Sequence, residues 1–420
     1  MRPVTSVSST SSAVQPRPDS AGPSRTTVTL ALLALATGGF AIGTTEFVSM
    51  GLLPQLADGV SVSIPTAGHA ISAYALGVVI GAPLIAVLGA RLPRRELLVG
   101  LMGLFLVGNA ATALASSYGA LMVARVVAGV PHGAYFGVAS LVAAGLVDPA
   151  RRGRAVSKVL LGLAVANVVG VPAATWLGQN YGWRSAYWVV AALAALTAVL
   201  VLLLVPHTPA DRDATGRREL RAFRNPQLLL TLLAGSVGFG GMFAMYSYIA
   251  PTVTNVAGLS EGRVPLYLLA FGLGMVVGTP LAGRMTDWSI LRTVFIGMVS
   301  MGAGLLVFAS VVGSFVAGLL MLFVVSVITS LVAVGLQMRL MQVAGDAQTI
   351  GAAMNHSALN LANALGAWLG GMVIAAGYGY RAPSYVGVGL SLLGLVVLAA
   401  SVTLHRRTTA QERVSVTSSS

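Results

Sequence analysis

The sequence predicts an all-α membrane protein of twelve transmembrane helices arranged as two six-helix pseudo-repeats. Three observations predict it. Of 420 residues, 56% are hydrophobic and 9% are charged, against roughly 25% charged in a soluble domain, so lipid must solvate most of the surface. Apolar runs long enough to cross a bilayer recur along the chain. One such run returns 197 residues later with its glycines and proline in register.

Residues 1–26 are rich in Ser, Thr and Pro and read as a disordered tail. A secretory signal would place its apolar core earlier, with a cleavage site after it. The first span, 28–50, holds the carboxylate Glu46 in "GTTEFVSMGLLP". The second, 66–90, runs into a basic loop with Arg91, Arg94 and Arg95. Spans follow at 97–116, at 119–146 with Arg125, Gly129 and His132, at 155–178 with Asn167, Gly170 and Pro172, and at 185–206. The longest polar gap, "HTPADRDATGRRELRAFRNP", then divides the chain. The second group spans 227–254 with Tyr246 and Tyr248, 264–285 followed by Asp287, 292–311, 314–340, 347–377 with His356, Asn360 and Asn363, and 383–404. The expected organisation is two bundles, 27–206 and 227–404, a central cytoplasmic loop 207–226, and cytoplasmic tails 1–26 and 405–420.

Ala73–Leu84 reads AYALGVVIGAPL and Ala270–Leu281 reads AFGLGMVVGTPL. Gly77/Gly274, Gly81/Gly278 and Pro83/Pro280 are among the identities, and the same offset pairs Pro54 with Pro251. Parallel six-helix repeats around a central loop are a transporter architecture.

The net charge of +13 invites a nucleic-acid partner, but its placement explains it otherwise. With the N-terminus in the cytoplasm, 21 of the 25 Lys and Arg fall in inside segments. Three fall in outside loops, and the one that remains, Arg125, lies deep inside a span. That is the positive-inside rule, with both termini cytoplasmic. One lysine against 24 arginines reads as a GC-rich bacterial genome, so the expected location is a bacterial inner membrane, crossed many times. The absence of cysteine excludes thiol catalysis, disulfides and thiolate metal sites. No Gly-Lys-Ser/Thr phosphate loop occurs, which argues against ATP-driven transport. The histidines show no metal-ligand spacing with acids, and no Ser-His-Asp set is present, so no enzyme activity, metal or cofactor is expected.

Four motifs carry a family resemblance. "AVLGARLPRR" after the second span is similar to a Gly-x-Leu-Ala-Asp-Arg-x-Gly-Arg-Arg loop, departing from it at Ala86, Ala90 and Pro93; "GRMTD" (Gly283–Asp287) keeps an acid in the second half. "LMVARVVAGVPHGA" resembles a Leu-x-x-x-Arg-x-x-x-Gly motif through Arg125 and Gly129. "GLAVANVVGVPAATWLGQ" resembles the Gly-Pro motif of antiporters, and "GTTEFVSMGLLP" resembles the first helix of twelve-helix drug/proton antiporters. From Thr27 to His405 the chain resembles the Major Facilitator Superfamily, in its sugar-efflux and chloramphenicol-efflux-like branch. The resemblance implies proton-coupled export of a drug, antibiotic or sugar by alternating access, as a monomer. It also implies gating by Arg91, Arg94, Arg95, Gly129, Gly170, Pro172 and Asp287.

Glu46 and Arg125 are the charged residues well inside spans, both roughly 8–9 Å below the outer ends of their helices. Charges in hydrocarbon pair or line a watery cavity. Two readings stand: a static ion pair, or a proton carrier at Glu46 tuned by burial and Arg125. His356, Asn360 and Asn363 share a helical face and either line a polar cavity or glue helices together. His356 is a second proton site or a neutral hydrogen-bonded group. His132 either joins the Glu46–Arg125 network or packs. Asn167, Gly170 and Pro172 make a packing kink or a gate against proton leak. Tyr246 and Tyr248 suit flat organic cargo. The alternatives to export are a proton-coupled uptake symporter on the same fold and, more distantly, a non-transporting membrane enzyme or receptor.

Overall fold

The computed structural model describes residues 24–89, 91–207, 225–343 and 348–418. Twelve helices among them are long and apolar enough to cross a membrane. They are α1 Arg25–Gly51, α2 Ile64–Ile85, α3 Arg94–Leu114, α4 Tyr118–Gly145, α5 Arg152–Tyr181, α6 Trp183–Leu204, α7 Pro226–Asn255, α8 Glu261–Trp288, α9 Ile290–Val311, α10 Phe315–Val343, α11 Met354–Ala375 and α12 Ala382–Leu404. No strand occurs among the described residues. Each helix lies within a few residues of an expected span. Residues 1–23 of the expected tail and 208–224 of the expected central loop lie outside the described residues. The helix holding α12 continues to Ser418, through the segment read as a C-terminal tail.

Local chemistry fixes the starts. Ser24 Oγ accepts from the Thr27 N–H at 3.1 Å, so α1 begins at Arg25, inside the segment read as disordered. Ser63, Ser117 and Ser289 cap α2, α4 and α9 in the same way, and Asn225 caps α7. Each cap satisfies an amide that the first turn leaves without a partner. Gly182, at φ 86°, separates α5 from α6 in a single residue.

Within α5 the expected kink is a π-turn. Ala166–Gly170 is wound with one extra residue, and the Val171 N–H reaches back to Ala166 O. Pro172 follows, with no N–H and a ring that crowds the preceding turn. Widening the helix by a residue relieves that crowding.

The sequence repeat is also a packing repeat. Gly77 and Gly81 of α2 lie against the carbonyls of Val126 and Val130 on α4. Gly274 and Gly278 of α8 lie against the carbonyls of Phe323 and Val327 on α10. Both partners are displaced by the same 197 residues. A Cβ at any of the four would strike backbone, so the helices approach this closely because glycine is there.

The two halves are closed at one end. Phe47, Met50, Leu53, Ala57, Ala67 and Ile71 of the first half join the core of the second. All lie toward the end away from the termini. Gln55 Nε2 donates to Glu261 Oε2 at 2.7 Å, Gln179 Nε2 donates to Glu261 O at 3.0 Å and Ser72 Oγ donates to Ala364 O at 3.0 Å. Among the described residues no hydrogen bond or ion pair joins the halves toward the termini.

Candidate functional site

α1 crosses the middle of the molecule as a buried polar segment, Thr44 to Ser49, with Phe47 turned to the second half. Phe47 stacks on Phe243 at 6.4 Å and meets Tyr246 edge-on at 6.1 Å. Thr45 turns the other way, into the first half, where its Oγ1 donates to Asn109 Oδ1 of α3 at 2.6 Å. Glu46 lies between these two directions, one helical step from each.

Arg125 of α4 is fully buried. Its guanidinium donates to Thr45 Oγ1 and to Thr45 O, both at 3.3 Å. It also lies 4.4 Å from the centre of the Tyr74 ring and 5.5 Å from that of Tyr187. Tyr187 Oη is in turn bonded to Ser49 Oγ at 2.7 Å. Of the two readings, the static Glu46–Arg125 ion pair does not form: no N···O approach between them is within 4.0 Å. Two aromatic faces and one threonine hold the cation instead. Glu46, 7% exposed, has no hydrogen-bond partner among the described residues and stands in the electrostatic field of Arg125.

From Arg125 a chain of side chains leads into the other half. Tyr74 Oη bonds His132 Nδ1 at 3.0 Å. The His132 ring packs edge-on to Phe136 at 5.5 Å and lies 6.4 Å from His356 of α11. Phe136 stacks flat on His356, 5.3 Å between centres and 3° between planes. His132 therefore joins the Arg125 cluster, through a tyrosine that sequence reasoning passed over.

The remaining expected residues are more scattered. Asn360 Nδ2 donates to His356 O at 3.0 Å, and Asn167 Nδ2 to Leu163 O at 3.0 Å. The side-chain carbonyls of both are buried without a donor, and neither amide atom of Asn363 has a partner among the described residues. Buried amides left open in this way suit a polar cargo or water. Tyr246 is 1% exposed, with its ring face covered by Phe271 at 3.9 Å. Tyr248 Oη donates to Ala367 O at 2.8 Å. In this conformation neither presents a free face to a ligand. Gly129 packs on Tyr74 O, and Gly170 on Thr44 and Phe40. At the termini end, Arg91 and Asp287 are exposed, Arg94 and Arg95 half-buried. Glu96 joins Arg95 at 3.5 Å and His207 at 2.9 Å. No three His, Asp or Glu side chains among the described residues are placed to hold a metal ion.

Sequence reasoning missed Tyr74, Asn109 and Tyr187. Asn109 carried a signal, as a lone amide in an apolar run. Tyr74 stood in the quoted repeat, opposite Phe271.

A family model described as the Major Facilitator Superfamily matches residues 35–357. The chain is 40% identical over 372 residues to the inner membrane transport protein YdhP of Escherichia coli K12, covering 88% of this chain and 95% of that one. It is 35% identical over 341 residues to a chloramphenicol resistance protein of Streptomyces lividans, covering 80% and 87%. A solved D-xylose-proton symporter superposes with a TM-score of 0.68 at 19% identity, covering 87% of this chain and 97% of that one.

Proposed function

Because the chain belongs to the Major Facilitator Superfamily, and so carries some small substrate across a membrane, we propose that it exports a small organic compound in exchange for protons. Transporters of this family need no bound cofactor. The export direction is supported by the 35% identity to a chloramphenicol resistance protein, and an antibiotic of that kind is the first cargo to try. The bacterial inner membrane is supported by the name of the 40% identical relative.

One observation supports the coupling: Glu46 is a buried carboxylate that no side chain among the described residues clamps, although a buried guanidinium stands near it. A carboxylate locked in an ion pair has no freedom to trade its proton. An unclamped one is costly as a bare anion in a closed, dry carrier. The carrier therefore changes state when Glu46 is protonated or when cargo satisfies it. Proton and cargo then compete for one site, which makes exchange obligatory. Arg125, fixed by Thr45, Tyr74 and Tyr187, keeps the anion accessible when the cleft is wet.

In the proposed cycle the 27–206 and 227–404 bundles rock about this centre. The basic residues favour the termini side as cytoplasmic, so the conformation closed away from the termini admits cargo from the cytoplasm, between α1, α4, α5, α7, α8 and α11. His132, Asn167, His356, Asn360 and Asn363 offer polar contacts, and Tyr246 is uncovered when α7 and α8 part. Arg91, Arg94, Arg95, Gly129, Gly170, Pro172 and Asp287 serve the gates. Protonation of Glu46 from outside releases the cargo. A single chain, acting as a monomer, holds every part.

Everted membrane vesicles test this. With an acidic lumen, chloramphenicol or another cargo should enter the vesicles as protons leave, and Glu46→Gln should abolish the coupled flux. Flux with the opposite proton direction would make the chain a symporter, and undiminished coupled flux in Glu46→Gln would remove the proton from that residue.

A further inference from the structure

At the termini end of the second half, α7, α10 and α12 meet around a polar recess outside the Glu46–Arg125 centre. It is lined by Asn225, Gln227, Arg339, Gln342 and Val343 and holds about 230 Å³, open on one side. Arg339 of α10 is 2% exposed. Its Nη1 donates to Gln342 Oε1 at 2.9 Å. Its Nε and Nη2 are buried with no acceptor among the described residues, and no described carboxylate lies within 4.0 Å of it. Arg125, the other buried arginine among the described residues, has two aromatic faces, Thr45 Oγ1 and Thr45 O, and leaves its Nε alone without a partner. Arg339 has one neutral amide.

The walls are built to stay in place. Asn225 Nδ2 donates to Val343 O at 2.9 Å, and Asn225 Oδ1 accepts from the Gln227 N–H at 2.9 Å. Gln227 Nε2 donates to Ser401 O at 3.1 Å and its Oε1 accepts from Ser401 Oγ at 2.9 Å, tying in α12. The recess therefore sits at the N-terminal, positive end of α7. An uncompensated guanidinium in such a place is strongly unfavourable. An oxyanion would accept from Nε and Nη2 together, the fork that arginine presents to phosphate and carboxylate.

We propose that this recess binds a phosphate-type oxyanion, with Arg339 as the fork and the start of α7 as the supporting dipole. Arg339 lies roughly 6 Å from the end of α10, at the depth where phospholipid headgroups meet basic pockets between helices. The shared chemistry is phosphate, whether the phosphodiester of an anionic lipid or the free ion. Bound there, it would bridge α7 to α10 and stabilise the termini end of the second half.

The test uses the full chain in dodecyl maltoside micelles, which carry no phosphate, either alone, with added phosphatidylglycerol, or with millimolar inorganic phosphate. Native mass spectrometry reads the bound species and thermal unfolding reads stability. The wild type should retain phosphatidylglycerol or phosphate and melt higher with it. Arg339→Gln should weaken retention on the order of tenfold to a hundredfold, and Arg339→Lys should fall between. Retention of the lipid only assigns the headgroup, and retention of the ion in lipid-free micelles assigns the solute. If the wild type retains neither more than Arg339→Gln does, the proposal fails. It fails too if Asp346→Asn, seven residues on and outside the described residues, reproduces the loss of stability while added anion changes nothing; an internal carboxylate is then the partner. Should Arg339→Gln not fold, the wild type alone decides, since equal melting in all three micelle samples overturns the site.

Discussion

Arg125 is buried without a touching carboxylate because two aromatic faces and Thr45 surround it. A desolvated cation over a ring gains about 2 kcal/mol, and a neutral hydrogen bond about 1 kcal/mol. Tyr74 supplies both, through its ring to Arg125 and its hydroxyl to His132. Tyr74→Phe should therefore lower stability by about 1 kcal/mol, and Tyr74→Leu by about 2 kcal/mol more, read from thermal unfolding of the purified protein. Equal losses would show that the ring does not hold the cation. Glu46 gives a second prediction. If the carboxylate form holds cargo, affinity is high at alkaline pH and falls as pH drops through the titration of Glu46. Glu46→Gln mimics the protonated state, so its affinity should be low and flat with pH in an equilibrium binding assay. A pH dependence that survives in Glu46→Gln would transfer the proton to His132 or His356, which lie 6.4 Å apart across the two halves.

At the scale of elements, the glycine crossings of α2 with α4 and α8 with α10 are two copies of one joint. Gly77→Leu and Gly274→Leu force the same backbones apart, and each should cost about 1–3 kcal/mol, seen as matched losses in melting temperature and membrane yield. A large loss from one and none from the other would make the repeat decorative. The repeat does not extend to the charges: Glu46 faces Phe243 in the 197-residue register, and Arg125 faces Leu322. Under the proposed mechanism coupling would thus rest on the first half, while the second supplies the apolar wall of Phe243, Tyr246 and Phe271. In α5 the π-turn at Ala166–Gly170 precedes Pro172. Pro172→Ala restores an amide that can return the helix to regular winding. Passive proton flux through liposomes carrying that variant should rise above wild type, and an unchanged flux would reduce the turn to packing.

At the scale of the whole molecule, closure away from the termini joins the apolar contacts of the first half with the second to the hydrogen bonds of Gln55 and Gln179 with Glu261. The chain has no cysteine, so Gln55→Cys with Glu261→Cys provides a clean pair for a short bifunctional thiol reagent. Cross-linking should proceed without cargo and stop transport until reversed. Failure to cross-link in the resting state would show that the closed end lies elsewhere.

The sequence by itself determined the class, the twelve spans, the repeat and the identity of the charged residues, because each is a local property. Twenty apolar residues report their own insertion, and an acid or a base within them is anomalous wherever the helix goes. Only the tertiary structure decided what Arg125 touches. It also placed His132 beside His356, covered Tyr246 with Phe271 and closed one end of the cleft. Those outcomes depend on how each helix is rotated about its axis and how the two bundles lean together. Such choices are set by the summed packing of many small contacts between residues far apart in the chain, and no single span carries them.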